Sequence, residues 1–194
     1  MRYTFFIIII ILTSCSQEQF STPRPHQYPK ISFPKTAYAP YVNPDCPFSM
    51  EIPAYATTSR KKLMFDAVEA DPCWFDIILD DFNATIHCSY YPVGEKHPLD
   101  KLINDAFTMA SKHNVKASFR EEFIIKNENG SSGLIFKING PVASPFQFYV
   151  TDSTNHFLRG SLYFDTKVVQ DSVAPIVDYI EKDIDVLLRT LKWK

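Results

Sequence analysis

Apolar residues recur along this chain in two rhythms, a period of two that marks strands and a period near 3.6 that marks helices. From Phe48 onward the first rhythm comes in pairs of short runs. Residues 48–52 and 54–58 read as a hairpin bent around Pro53, and residues 73–80 and 84–91 as a second that turns at Asp80 to Asn83. The longer period follows: Leu99, Leu102, Ile103, Ala106, Met109 and Ala110 repeat as a helix whose first turn suits Pro98. A third hairpin joins residues 119–126 to 133–138, its Asn129 and Gly130 favouring the positive backbone angles of a tight turn. A fourth joins 146–151 to 156–165 around Asp152 to Asn155. The last element is one apolar stripe of Ile176, Val177, Ile180, Ile184, Leu187, Leu188 and Leu191, with Asp171 or Ser172 as its cap and Lys192 near its negative end.

Four strands, a helix, four strands and a helix predict an α+β fold, an antiparallel sheet flanked by helices, because consecutive hairpins do not build a parallel βαβ sheet. If the second hairpin turns at Asp81 and Phe82, then Cys73, Phe75, Ile77 and Leu79 share a core face with Ala84, Ile86 and Cys88. The opposite face sets Asp76 across from His87, with Ser89 two residues along.

The chain begins differently. An apolar run from Phe5 to Leu12 stands behind Arg2 and ends in Leu12, Thr13, Ser14, Cys15. A basic start, a short apolar core and small residues before a cysteine make a lipoprotein signal, and the run falls short of the ~20 residues a membrane span needs. Cys15 is then the first mature residue and carries the lipid. Seven prolines between residues 16 and 47 forbid a helix and favour an extended tether, some 30 residues that reach roughly 90 Å at about 3.1 Å per residue. The expected layout is a signal peptide at 1–14, a lipidated proline-rich tether at 15–45 and one domain at 46–194. Within the tether, Ile31 and Phe33 alternate like an edge strand, and Tyr38 and Tyr41 offer rings that can pack on the domain.

Charge excludes more than it suggests. Removing residues 1–14 takes one Arg away and leaves 19 basic side chains against 22 acidic ones, so no basic excess points to nucleic acid. Three cysteines remain beside Cys15 in a compartment that permits disulfides, which allows one pair and one odd thiol. Of the possible pairs, Cys46 with Cys73 is favoured. It would tie the entry of the domain to the second hairpin, a loop closure of roughly 3.5 kcal/mol by chain entropy. Cys88 sits in an apolar strand and reads as a small buried hydrophobe. No ligand-type spacing of Cys or His suggests a metal, and no cofactor motif is present: there is no glycine-rich phosphate loop, no G-x-S-x-G and no H-E-x-x-H.

Two clusters carry candidate chemistry. Asp76, His87 and Ser89 suggest a triad, but same-face neighbours on a strand stand roughly 6.5 Å apart, too far for a serine to bond the histidine. A cross-strand acid and histidine pair is the plainer reading, so no catalytic residue is assigned. The second cluster is the turn holding Asp152, Asn155, His156 and Arg159. Its Asp, Ser and Asn residues build turns by bonding their own backbone, while His156 and Arg159 can meet an acidic partner group. Trp74, Tyr90 and Tyr91 offer an outward aromatic patch.

The lipobox at Cys15, TPRPHQYPKISFPKTAY, CPFSMEIPAY, CWFDI, FNATIHCSY, LDKLINDA, KHNVKA, FQFYVTDSTNHFLRGSLYF and the closing LKWK together resemble the gliding-motility lipoprotein family GldD of Bacteroidetes over nearly the whole chain. The resemblance implies a cell-envelope lipoprotein required for gliding, held to the membrane by its lipid. Its implied partners are other envelope proteins of the gliding and type IX secretion machinery. It brings no catalytic residue and no cofactor. Cys15 matches the acylated position, Cys46 and Cys73 match the two cysteines of the family, and Cys88 falls where an aliphatic residue is expected. The element order also resembles a Mog1/PsbP-like α/β/α sandwich. Ser16 is no strong inner-membrane retention signal, which favours the outer membrane facing the periplasm. The competing classes are a small envelope hydrolase, which needs an assembled polar site, and a ligand-binding lipoprotein, which needs a sizeable apolar pocket.

Labelled palmitate enters the wild-type protein in its native host and is absent from Cys15→Ala; equal labelling of the two would refute lipidation at this residue.

Overall fold

In a computed structural model, residues 31–60, 71–127, 129–165 and 170–194 are described, with the side chains of 170–172 outside that description. The signal segment, Cys15, the tether up to residue 30 and the side chains of the expected caps Asp171 and Ser172 therefore lie outside the described residues. Phe33–Lys194 forms one unit. It takes in residues 33–45 of the expected tether.

The elements run β1 (Tyr38–Val42), β2 (Phe48–Pro53), β3 (Thr57–Arg60), β4 (Phe75–Leu79), β5 (Ala84–Pro92), α1 (Leu99–Ser111), β6 (Phe119–Lys126), β7 (Ser132–Asn139), β8 (Phe146–Thr151), β9 (His156–Phe164), α2 (Gln170–Thr190) and β10 (Lys192–Trp193). Seven strands form one antiparallel sheet in the order β3-β4-β5-β9-β8-β7-β6, and β1-β2-β10 form a second. The fold is α+β, with helices on both faces of the large sheet. Alternation along the strands assigns those faces. Phe136, Ile138, Tyr149 and Phe157 cluster with Leu102, Ala106 and Ala110 of α1. The opposite parity carries Phe75, Ile77, Ile86, Phe148, Leu158 and Leu162, all buried, on the side where Lys137 pairs with Glu181 of α2. Phe48 brings the small sheet onto that same side through ring contacts with Phe75 and Tyr90. Each buried Leu, Ile or Phe there contributes about 1.5–3 kcal/mol.

Three expected hairpins form. Asp76 lies opposite His87, and the chain reverses between β4 and β5 through a 3₁₀ turn at Asp80–Phe82 and Asn83 at φ 46°. The first expected hairpin does not form. β2 and β3 belong to different sheets, because β2 is flanked by β1 and β10 while the wholly exposed β3 pairs with β4. A turn in which Ala56 donates to the Pro53 carbonyl at 3.0 Å carries the chain between them. Residues 31–37, including Ile31 and Phe33, form no strand; pairing begins at Tyr38. Proline is tolerated within β1 because that strand lies at the edge of its sheet.

The end of α2 also differs from expectation. Lys192 is in β10, opposite Ser49. The last carbonyls of the helix are met instead by side-chain amides of the β6–β7 turn: Asn127 Nδ2 donates to the Leu188 carbonyl at 2.6 Å, and Asn129 Nδ2 to that of Leu191. Cys46 and Cys73 form a disulfide with Cα atoms 5.5 Å apart, tying the approach to β2 to the approach to β4. Cys88 is buried and outside that bond.

Gly160 faces Phe148 across the β8–β9 ladder, and a Cβ there would come within 2.2 Å of the Phe148 ring. Gly160→Ala is therefore expected to lose about 1–3 kcal/mol by overpacking. Urea unfolding reads the loss, and adding Phe148→Leu should recover part of it. An unchanged midpoint in the single variant would contradict this packing.

Candidate functional site

The face of the large sheet toward α1 is half apolar and half polar. α1 presents Leu102, Ala106 and Ala110 at helical spacing and so covers the apolar residues of β7, β8 and β9. Beyond it, strand parity lines up Asp76 on β4, Thr85, His87 and Ser89 on β5, Arg159, Ser161 and Tyr163 on β9, and Gln147 on β8. Arg159 stands at the border between the halves.

A cavity of about 120 Å³ lies there, lined by Ser89, Tyr91, His97, Lys101, Asp105 and Arg159 together with apolar residues of α1 and β9. Nη2 of Arg159 donates at 2.7 Å to Oε1 of Gln147, a side chain only 1% exposed. Burial holds the guanidinium below its ordinary pKa. Among the described residues no carboxylate lies within ion-pair distance of it. Burial also raises the Tyr91 hydroxyl, with the Arg159 charge opposing that rise. Nε2 of Gln147 and Oγ of its cross-strand neighbour Ser161 are buried without a hydrogen-bond partner among the described residues.

Further along the floor, Nδ1 of His87 lies 2.6 Å from Oδ1 of Asp76. Ser89 makes no hydrogen bond to His87 among the described residues, so the three are brought to one face without forming a relay. His113, just beyond α1, reaches Tyr163 with Nε2 3.3 Å from the hydroxyl. No group of three His, Cys, Asp or Glu side chains among the described residues is placed to hold a metal.

The turn cluster divides. Asp152 Oδ1 accepts the backbone N–H groups of Thr154, Asn155 and His156 at 2.8–3.0 Å, and these bonds hold its carboxyl below the usual range against the opposing effect of burial. Asn155 is exposed beside it. His156 and Arg159 are three residues apart on one strand and therefore point to opposite faces. His156 stacks on Trp193 with centroids 5.0 Å apart, and its Nδ1 lies 2.8 Å from the Tyr90 hydroxyl. The aromatic trio divides in the same way: Tyr90 is buried under the small sheet, while Tyr91 and Trp74 meet edge to face on the α1 side.

One surface escaped the sequence reading. β6 is the last strand of the large sheet, bonded on one side only among the described residues. It exposes Phe119, Phe123 and Ile124, the last 75% accessible. Phe119 and Phe123 fall on the same face of the strand, a pattern that a covered face would share.

Burial and the Arg159 charge lower the pKa of His113 from about 6.5. The folded state thus prefers the neutral ring. Its contribution is complete above pH 6.5 and is lost as the pH falls toward the folded value. His113→Gln should flatten the fall in urea stability between pH 7.5 and 5.5; parallel wild-type and variant curves would exclude this linkage.

Among solved structures, the chain is similar to the solution structure of cyanobacterial PsbP from Synechocystis sp. PCC 6803, at 8% identity and a TM-score of 0.46, with 82% of this chain and 94% of that chain covered. No curated protein matches it. Residues 18–193 match the family described as gliding motility lipoprotein GldD. That match spans almost the whole chain, and the protein belongs to the GldD family of gliding motility lipoproteins.

Proposed function

We propose that this lipoprotein serves gliding by binding other proteins of the envelope, as a non-catalytic component linked to the gliding and type IX secretion machinery. The observation that carries the reading is the open edge of β6. An edge strand presents a row of unsatisfied N–H and C=O groups, and soluble proteins usually blunt it with short length, bulges or charge. β6 is eight residues long and pairs without a break from Phe119 to Lys126. Four of its residues, Arg120, Glu121, Glu122 and Lys126, are charged, yet it still exposes three large apolar side chains, Phe119 and Phe123 on the α2 side and Ile124 on the α1 side. A partner strand added there would gain main-chain hydrogen bonds and would cover Phe119, Phe123 and Ile124.

The two competing classes have less support. A hydrolase would rest on Asp76 and His87, to which no hydroxyl nucleophile is hydrogen-bonded among the described residues. A ligand carrier needs a cavity of roughly 300–1,000 Å³; the Arg159 cavity holds about 120 Å³, and two others, one between Ile138 and Val177 and one between Tyr41 and Arg60, hold about 250 and 280 Å³. In our reading residues 1–14 are removed, Cys15 carries palmitate in the outer membrane, and the proline-rich segment lets the folded unit reach partners in the periplasm.

The test is complementation of a deletion strain with wild type or Ile124→Lys, scoring single-cell gliding, export of a type IX cargo and co-purifying envelope proteins. Position 124 is exposed, so the unfolding free energy should stay within about 0.5 kcal/mol of wild type. Loss of gliding together with loss of a co-purifying protein is the expected result. Export lost as well would tie the protein to the shared secretion machine; gliding and capture both intact would overturn the edge as the binding surface.

A further inference from the structure

Arg159 is an unusual residue to leave part-buried in a sheet without a carboxylate. Burying a guanidinium costs free energy that a single neutral hydrogen bond does not offset, and buried charges are normally paired. Here the one hydrogen bond the structure gives it among the described residues runs to Gln147. A guanidinium carries five N–H donors in a planar fork that matches an oxyanion bidentately. Gln147 engages one Nη2 donor from the sheet side, and Arg159 also lines the cavity. Gln147 is itself buried, 1% exposed, on β8 between β7 and β9.

The rest of the lining suits the same ligand. Lys101 adds a second cation at the rim, and Ser89, Tyr91 and His97 add polar groups. Tyr91 is flanked by Trp74 and His97, each with its ring centroid 5.4 Å away, so the mouth is bordered by aromatic side chains. Tyr, Trp and Arg are the residues that dominate protein interfaces. The one opposing feature is Asp105, also in the lining. It is exposed on α1 and beyond ion-pair distance of Arg159.

We propose that this cavity is a carboxylate-binding site that receives an Asp or Glu side chain from an acidic peptide segment of a partner protein, with Arg159 as its anchor and Gln147 as the group that positions it. The proposal rests on the protein-binding reading but not on the β6 edge, which lies three strands from β9. The volume favours a side chain over a free metabolite, because about 120 Å³ admits a carboxylate and its stem and little else. Entry of the anion supplies a counter-charge that no described residue places within ion-pair distance of the guanidinium.

The mature protein in detergent is titrated with two fluorescent peptides, Ac-Gly-Phe-Glu-Gly-NH2 and its Gln counterpart, and separately with sodium acetate and inorganic phosphate as competitors. A charge-assisted bond of about 1.5–3 kcal/mol corresponds to roughly ten- to 150-fold tighter binding of the Glu peptide. Arg159→Gln should abolish that preference, and Arg159→Lys, which keeps the charge without the fork, should retain only part of it. Thermal melts of both variants report folding, and if Arg159→Gln does not fold, the wild-type and Lys titrations decide. Asp105→Asn should tighten the Glu peptide. Equal binding of the two wild-type peptides, or a preference that survives in Arg159→Gln, overturns the site. Phosphate competing better than acetate would assign it to a phosphate ligand and also overturn the proposal. Failure here with partner capture still lost in Ile124→Lys would leave the protein-binding reading standing.

Discussion

The ladder between β5 and β9 is the contact on which the rest of the molecule depends. It runs for nine residue pairs, from Ala84 with Phe164 to Pro92 with His156. β3, β4 and β5 precede α1 and β6 to β9 follow it, so this ladder alone joins the two halves of the large sheet. Closing it fixes the intervening helix and three strands into one loop, an entropic cost that grows only slowly with loop length. Because side chains alternate along a strand, its register also decides what each face holds. A slip of one residue would turn Arg159 into the core beside Phe148 and bring Gly160 to the floor of the cavity. The same ladder that builds the apolar interior therefore aims the part-buried guanidinium toward the cavity.

A second constraint mounts the N-terminal part of the folded unit. Asp183 on α2 is buried, and its two carboxylate oxygens accept hydroxyl hydrogen bonds from Tyr38 at 2.8 Å and Tyr55 at 2.6 Å. Burial first, and then these bonds, raise both phenols, that of Tyr38 to about 12. Hydrogen bonds to a charged group are worth about 1.5–3 kcal/mol each, and losing the carboxylate would strand two part-buried hydroxyls. Around this clamp Phe33 stacks on Tyr179 at 4.8 Å, and the Tyr179 hydroxyl donates to the Pro34 carbonyl. The chain is thus gripped at Phe33, well ahead of Cys46, where periodicity and the proline run place the start of the domain. Proline content marks where a helix cannot form, and it does not mark where order ends.

What was legible in the sequence was the local part. Three hairpins and both helical stripes follow from period, turn chemistry and length, and Asp76 opposite His87 follows from counting back from a turn. What was not legible depends on distant partners. β10 is two residues long, too short to show any period, and exists because Phe48 and Ser49 are there to pair with it. β2 and β3 look like one hairpin by spacing and separate because each finds a better neighbour elsewhere. The separation of His156 from Arg159 needed no structure, since residues three apart on a strand face opposite ways. The exposure of β6 did need one: Phe119 and Phe123 alternate like core residues, and only the order of strands shows that nothing described lies beyond them.

The polar floor beside α1 is costly as packing. Gln147 and Ser161 are each 1% exposed, and each leaves a polar atom without a partner among the described residues. An unsatisfied buried donor or acceptor costs about 1–3 kcal/mol, and apolar residues of similar shape would remove that cost. The opposite face of the same strands shows the alternative, with Phe148, Leu158 and Leu162 buried and carrying no polar side-chain atom to satisfy. The difference between the faces is that one must hold a guanidinium at the edge of a cavity. Gln147→Leu would leave Arg159 with no hydrogen bond at all among the described residues. Gln147 thus trades stability for the direction of one charged group, which is the trade expected where a surface is built to bind.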